Sequence, residues 1–227
     1  MEMKVVVTAG PTREHLDPVR FLSNPSTGKM GFAVAAEAAR RGHDVTLISG
    51  PVALKTPKGV KRIDVVSARD MLKATVDSLP VARQEGDLRS PVVFISTAAV
   101  ADWRPAKCAT SKLKKREMSG TLRLVRNPDI LKTLRRLARP GLSPSPLLLV
   151  GFAAETDNVL AEAARKCREK GLSFIVANDV TEKGSGFGTD TNRVTFVFPD
   201  GTLRRHPLMS KRRVAASIVR EIEGLAR

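Results

Sequence analysis

Short apolar runs alternating with helix-like segments are the strongest constraint on this chain. Strand-like runs at residues 4–8, 44–49, 60–66, 91–97, 147–152 and 172–177 are interleaved with helical patterns at 29–41, 68–79 and 158–170. Continuous apolar strands between amphipathic helices indicate a parallel sheet covered on both faces. The expected fold class is therefore α/β: one doubly wound, mostly parallel, Rossmann-like sheet forming a single domain over residues 1–227. Gly42 and Gly171 suit helix C-termini, and Ser67 is a candidate N-cap. Asn127-Pro128-Asp129 opens a further helix to about residue 137, with Asn127 as cap and Pro128 in the first turn. An edge-type strand at 193–198 and a last helix at 210–225 complete the pattern. Residues 104–120 interrupt it. They are rich in Lys and Arg, carry Pro105 and end at Ser119-Gly120, which predicts an exposed basic flap with a strand at 121–125 beside it. Residues 140–146 read as a turn-rich connector.

The net charge of +16 raises the question of nucleic-acid binding. Against it, the basic residues are dispersed in short clusters such as Lys114-Lys115-Arg116 and Lys211-Arg212-Arg213. Base-stacking aromatics are scarce, with no Tyr and one Trp. Electrostatic steering of small anionic substrates accounts for part of the charge, and a solvated basic surface for the rest. No apolar run is long enough to span a bilayer, and no signal-peptide pattern opens the chain. A cytoplasmic protein with two reduced thiols, Cys108 and Cys167, is expected, with no nucleic-acid or membrane partner. His15, His43 and His206 lack ligand spacing, so no protein metal site is expected.

The stretch "PTREHLDPVRFLSNPSTGKMG" separates the first strand from the first helix by about twenty residues, where about two to six are usual. It contains neither the GxGxxG turn of dinucleotide binders nor a P-loop, and the second strand ends at Ser49-Gly50 where a ribose-binding acid would stand. These absences disfavour an NAD(P)-dependent reductase. Ser26, Thr27 and Gly28 lie just ahead of a helix N-terminus, where free N–H groups and the dipole favour an anion. By themselves they read first as an ordinary Ser26 or Thr27 N-cap with a solvated Lys29, since caps of this kind are common. The segments "STAAVADWRP", "GFAAET" and "ANDV" leave other strand ends and are small or polar, so that a ligand could approach the backbone closely.

The stretch "TAGPTREHLDPVRFLSNPSTGKMGFAVAAEAARRG" resembles the opening of the phosphopantothenoylcysteine synthetases, or phosphopantothenate–cysteine ligases. The likeness continues in order through "SGPV", "AAVADWRP", "SKLKK", "NPDIL", "VGFAAET", "VANDV" and "GFGTDTNRV". In many bacteria this unit is fused behind a flavin decarboxylase. Here it begins at residue 1, so a stand-alone form with a separate phosphopantothenoylcysteine decarboxylase as pathway neighbour is expected.

The resemblance implies a ligase of coenzyme A biosynthesis joining 4′-phosphopantothenate to L-cysteine. A nucleotide, with CTP expected and ATP the alternative, activates the carboxylate as an acyl nucleotidylate. Mg²⁺ arrives with the nucleotide. By the same resemblance Asn24 handles the acyl intermediate, and Ser26, Thr27 and Gly28 hold the substrate phosphate. Lys112 on the flap supplies a cation to the nucleotide phosphates. Ser96, Thr97, Ala98, Asp102, Asn127, Pro128, Asp129, Ile130, Phe152, Lys166 and Lys170 match nucleotide contacts. A homodimer is implied, each flap closing its partner's site. Trp103 departs from the family's usual Tyr. Without the resemblance, Lys166 and Lys170 read as a basic stripe on one helix face, "SKLKKR" as a solvated charge run, Asn127 as a plain cap and Phe152 as core. The competing class is a non-catalytic basic module that binds nucleotides or RNA.

Overall fold

The computed structural model describes residues 1–79, 91–117, 120–138, 147–182 and 184–226. Its elements, in chain order, are β1 (Lys4–Ala9), β2 (Arg13–His15), β3 (Phe21–Ser23), α1 (Lys29–Arg40), β4 (Asp44–Ser49), β5 (Val60–Asp64), α2 (Ala68–Ser78), β6 (Val92–Ser96) and β7 (Trp103–Pro105). A single 3₁₀ turn at Lys115–Glu117 follows. After it come β8 (Leu124–Arg126), α3 (Ile130–Leu137), β9 (Leu147–Glu155), α4 (Val159–Lys170), β10 (Phe174–Asp179), β11 (Thr191–Asn192), β12 (Thr195–Val197), β13 (Leu203–Arg205), β14 (Met209–Ser210) and α5 (Lys211–Leu225).

Eight strands form the main sheet in the order β13-β12-β10-β9-β6-β1-β4-β5. The run from β5 to β10 is parallel throughout, and β12 and β13 add an antiparallel edge. Among the parallel strands the spatial order is third, second, first, fourth, fifth, sixth. That is the doubly wound arrangement, in which ligands sit where the order reverses, here between the carboxyl ends of β1 and β6.

Alternation along β1 divides the interior. Val5, Val7 and Ala9 belong to a core shared with α1 and α5, through Val34, Ala35, Ala38, Val214 and Ile218. Val6 faces the second core, with Met71 of α2, Leu134 of α3 and Ala163 and Cys167 of α4. Cys167 is buried and free, and burial pushes its thiol up to about 11.

The expected elements are present, with shifts at their ends. The strand expected at 147–152 runs on to Glu155, and the one at 172–177 runs from Phe174 to Asp179. "GFAAET" and "ANDV" are therefore largely strand ends, not loops. Ser67 caps α2 in a complete capping box with Asp70. The cap of α3 is a correction: Asp129 accepts from the Lys132 N–H, and Pro128 precedes the helix. Asn127 is spent elsewhere, its Nδ2 donating to the Ala101 carbonyl at 2.8 Å. The long opening stretch holds a small hairpin, β2 with β3. The flap expected from 104 rests on a second hairpin, where Trp103–Pro105 pairs with Leu124–Arg126 instead of a strand at 121–125. The connector at 140–146 lies outside the described residues.

One close approach sets the position of α1. A Cβ on Gly31 would stand 2.3 Å from Thr97 Oγ1 and 2.5 Å from Ala9 Cβ, so the helix start rests directly on the ends of β1 and β6. Gly31→Ala should lower unfolding stability by about 1–3 kcal/mol, measured by urea denaturation. An unchanged midpoint would show that the contact is not tight.

Candidate active site

Two clefts adjoin at the carboxyl edge of the sheet. The first straddles the switch point and encloses about 640 Å³ open to solvent; Ser26, Thr27 and Gly28 line it, facing Thr97 and Ala98 after β6. Gly28, at φ 77°, is the N-cap of α1 and offers no side chain to the helix amides. An L-residue adopts that conformation with strain. The Ser26 or Thr27 cap is thereby corrected: Ser26 Oγ instead accepts from the Gly28 N–H at 3.4 Å. The first turn of α1 also holds no acidic side chain. Its N–H groups and positive dipole end are thus available to an anion.

The second cleft is lined by Ser96, Ala98, Asp102, Asn127, Pro128, Asp129, Ile130, Phe152 and Lys170. Nine of the residues expected to contact a nucleotide thus share one concavity. Ala98 and Phe152 line both clefts and form the wall between them. Asn127 is held by its bond to Ala101 and by Arg104 Nη1, which donates to its Oδ1 at 3.1 Å. Lys170 pairs with Asp129 at 3.0 Å. Burial raises the Asp129 carboxyl, but the Lys132 N–H and the Lys170 ammonium outweigh it and hold the group below its ordinary value.

Other expected residues stand apart. Lys166 lines neither cleft and pairs with Glu155 at 2.5 Å, at the end of β9. Lys112 is exposed on the flap and borders neither cleft. Asn24 also lies outside both linings, but its Nδ2 donates to the Ala99 carbonyl at 3.0 Å, tying the opening stretch to the segment after β6.

Several residues at the site carried no clear sequence signal. The Lys211-Arg212-Arg213 cluster was expected to be solvated, yet Lys211 is only 7 % exposed and lines the first cleft. The surrounding loop folds over it and takes its hydrogen bonds: Lys211 Nζ donates to the Gly186 carbonyl at 3.1 Å and the Thr189 carbonyl at 2.7 Å. Lys29 Nζ reaches the same loop, at the Gly188 carbonyl (3.2 Å) and Asp190 Oδ1 (2.7 Å). Asn178, Asn192 and Phe187 complete that side.

A doubly wound sheet with paired clefts at its strand ends, one beginning at a helix N-terminus without a side-chain cap, defines a Rossmann-like α/β protein with its candidate site at the switch point. Residues 1–225 match the model of the DNA/pantothenate metabolism flavoprotein C-terminal domain. The chain belongs to that family. It is 46% identical over 224 residues to the coenzyme A biosynthesis bifunctional protein CoaBC of Bacillus subtilis (strain 168), covering 98% of this chain and 52% of that protein. Against the CoaBC of Escherichia coli (strain K12) the identity is 46% over 204 residues, covering 88% and 46% of the two chains. The chain thus spans about half the length of the curated relatives it matches. The crystal structure of the C-terminal domain of a CoaBC superposes with a TM-score of 0.77 at 41% identity, covering 98% of this chain and 95% of that one. A Cab2 mutant in complex with phosphopantothenate-cysteine shares the fold at 16% identity, with a TM-score of 0.73 and coverage of 98% and 87%. Among the described residues no helix is long and apolar enough to cross a membrane.

The flap is tied to the opening stretch by Asp17. This fully buried residue accepts from the Val19 and Arg20 N–H groups at 2.8 Å, from the Arg20 guanidinium, and from the flap's Leu113 N–H at 3.2 Å. Those donors, Arg20's side chain foremost, hold its carboxyl far below the ordinary 3.8. A depressed carboxyl stabilises the fold fully above its unfolded value, and the contribution is lost as pH falls through the lower folded value. The flap anchor should therefore be intact at pH 7. Asp17→Ala should speed tryptic cleavage in the flap about tenfold at a temperature well below melting, as expected for loss of charge-assisted bonds. It should also lower the melting temperature, because the same bonds stabilise the fold at pH 7. Equal cleavage of both proteins would contradict the anchor.

Proposed function

We propose that the protein is a phosphopantothenate–cysteine ligase of coenzyme A biosynthesis. The observation that carries the reading is the pair of clefts sharing the Ala98–Phe152 wall. A phosphorylated acid bound at the start of α1 and a nucleotide lying along Asp102 and Asn127–Ile130 would meet across that wall. Holding two mutually repelling acids in register supplies most of what such a reaction requires.

A carboxylate oxygen of 4′-phosphopantothenate attacks the nucleotide α-phosphorus and displaces pyrophosphate. The amine of L-cysteine then adds to the acyl carbon; the acyl C–O bond breaks, the nucleoside monophosphate leaves and the amine proton is released. Developing charge on phosphate oxygens calls for fixed donors and cations, not an acid–base pair. The α1 amides, Ser26 and Thr27 hold the substrate phosphate. Asn24, fixed through Ala99, adds a neutral amide near the reacting carboxyl without repelling it. Lys112 is the flap cation that closes on the triphosphate. Lys170, and Lys166 beyond it, reach the nucleotide by exchanging Asp129 and Glu155 for phosphate or ribose groups. Mg²⁺ arriving with the nucleotide would screen the triphosphate charge, and Asp102, the second cleft's carboxylate outside the ion pairs seen among the described residues, would be the side chain to hold it.

CTP is the assigned nucleotide, with ATP the alternative. The reading includes a cytoplasmic homodimer in which each flap closes the partner's cleft, fed onward to a decarboxylase. The names of the bifunctional relatives support the place in coenzyme A biosynthesis. A non-catalytic nucleotide-binding module is the second reading, favoured by the exposed position of Lys112 away from both clefts.

Incubation with phosphopantothenate, cysteine, Mg²⁺ and CTP should release pyrophosphate; no release with either CTP or ATP would favour the binding module. Lys112→Gln should slow activation by about 100-fold or more with the fold intact, and near-normal turnover would remove Lys112 from the reaction. Asn24→Asp replaces the donor to Ala99 by a carboxylate. It should leave a pyrophosphate burst while slowing amide formation, and unchanged single-turnover kinetics would count against Asn24.

A further inference from the structure

Lys211 has an unusual electrostatic position. It is the first residue of α5, at the positive end of that helix, with no acidic residue in the first turn. Its ammonium is 7 % exposed on a residue basis and forms no ion pair among the described residues. The nearest acid, Asp190, is exposed and bonded to Lys29. Burial, and then the charge of Lys29, lower the proton affinity of Lys211. Two of its three hydrogens are used by the Gly186 and Thr189 carbonyls. A neutral donor could hold a carbonyl there without burying a charge. Asp190 offsets only part of the cost of burying this ammonium, and an anion in the adjoining cleft would offset more of it.

We infer that Lys211 is a buried anchor for the phosphomonoester end of the acid substrate, opposite the start of α1 and beside Lys29. This rests on reading the first cleft as the site of a phosphorylated acid. In that arrangement the start of α1 and two lysines surround one phosphate, and the loop from Gly184 to Asp190 is held in place by the same lysines that hold the ligand. The anchor distinguishes the phosphorylated acid from the free one, since the charge it supplies has value only when the phosphate is present.

Isothermal titration with phosphopantothenate and with pantothenate, the same acid without its phosphate, tests this in the full chain. Lys211→Gln should weaken phosphopantothenate about tenfold or more, leaving pantothenate within about twofold, and Lys211→Arg should retain most of the preference. Equal weakening of both ligands would reduce Lys211 to a loop-positioning residue, and no weakening would remove it from the site; either overturns the inference. A wild-type protein that binds both acids alike would instead overturn the reading of the cleft itself. If Lys211→Gln does not fold, ¹⁵N NMR of the wild-type lysine ammonium groups decides. The Lys211 signal, assigned by its loss in Lys211→Arg, should move with phosphopantothenate and stay with pantothenate. No movement with phosphopantothenate overturns the anchor.

Discussion

The contact of Gly31 with Ala9 and Thr97 is the constraint on which the rest of the site depends. With no side chain at that position, α1 begins against the ends of β1 and β6, at the point where the strand order reverses. The amides of its first turn, left uncapped by Gly28, open into the first cleft. A bulkier residue would lift the helix off the sheet and move those amides away from Ala98 and Phe152. The second cleft lies within reach because Ala98 and Phe152 line both.

Charge is distributed unevenly around this frame. Lys170 and Lys166 are neutralised by Asp129 and Glu155, and Lys29 by Asp190. These pairs are partly exposed and contribute little to stability on their own. Position matters more: Lys29 and Lys170 line the clefts and Lys166 does not, and in the proposed reaction the cleft lysines would exchange a carboxylate for a phosphate at small net cost. Lys211 differs, being buried with carbonyl partners alone.

Much of the fold was legible because strand burial and helix amphipathicity leave periodic signals. The runs at 44–49 and 29–41, and the Ser67 cap, reappear almost unchanged. The β2–β3 hairpin was not, because three-residue strands carry no period and the segment's Pro and Asn suggest a loop. The cap of α3 was misplaced because Asn127 and Asp129 are both good capping residues and Pro128 tolerates either start; the bond from Asn127 to Ala101 across the chain decides between them. At the site, the resemblance brought Asp102, Asn127 and Ser26 to the clefts, where composition alone gave capping or surface readings. Lys211 was hidden in a basic cluster, because its burial comes from a loop more than twenty residues earlier in the chain. Lys112 stands exposed on the flap, so neither its sequence nor its position by itself distinguishes a catalytic cation from a solvated one.

The central claim is that a carboxylate and an α-phosphorus meet across the Ala98–Phe152 wall and become covalently joined. The most direct measurement follows an oxygen atom. With phosphopantothenate labelled by ¹⁸O in its carboxylate, one turnover with CTP and cysteine should leave one label in the released CMP, because the C–O bond breaks only after that oxygen has bonded to phosphorus. Label in inorganic phosphate, or CMP free of label while the amide forms, would contradict the account.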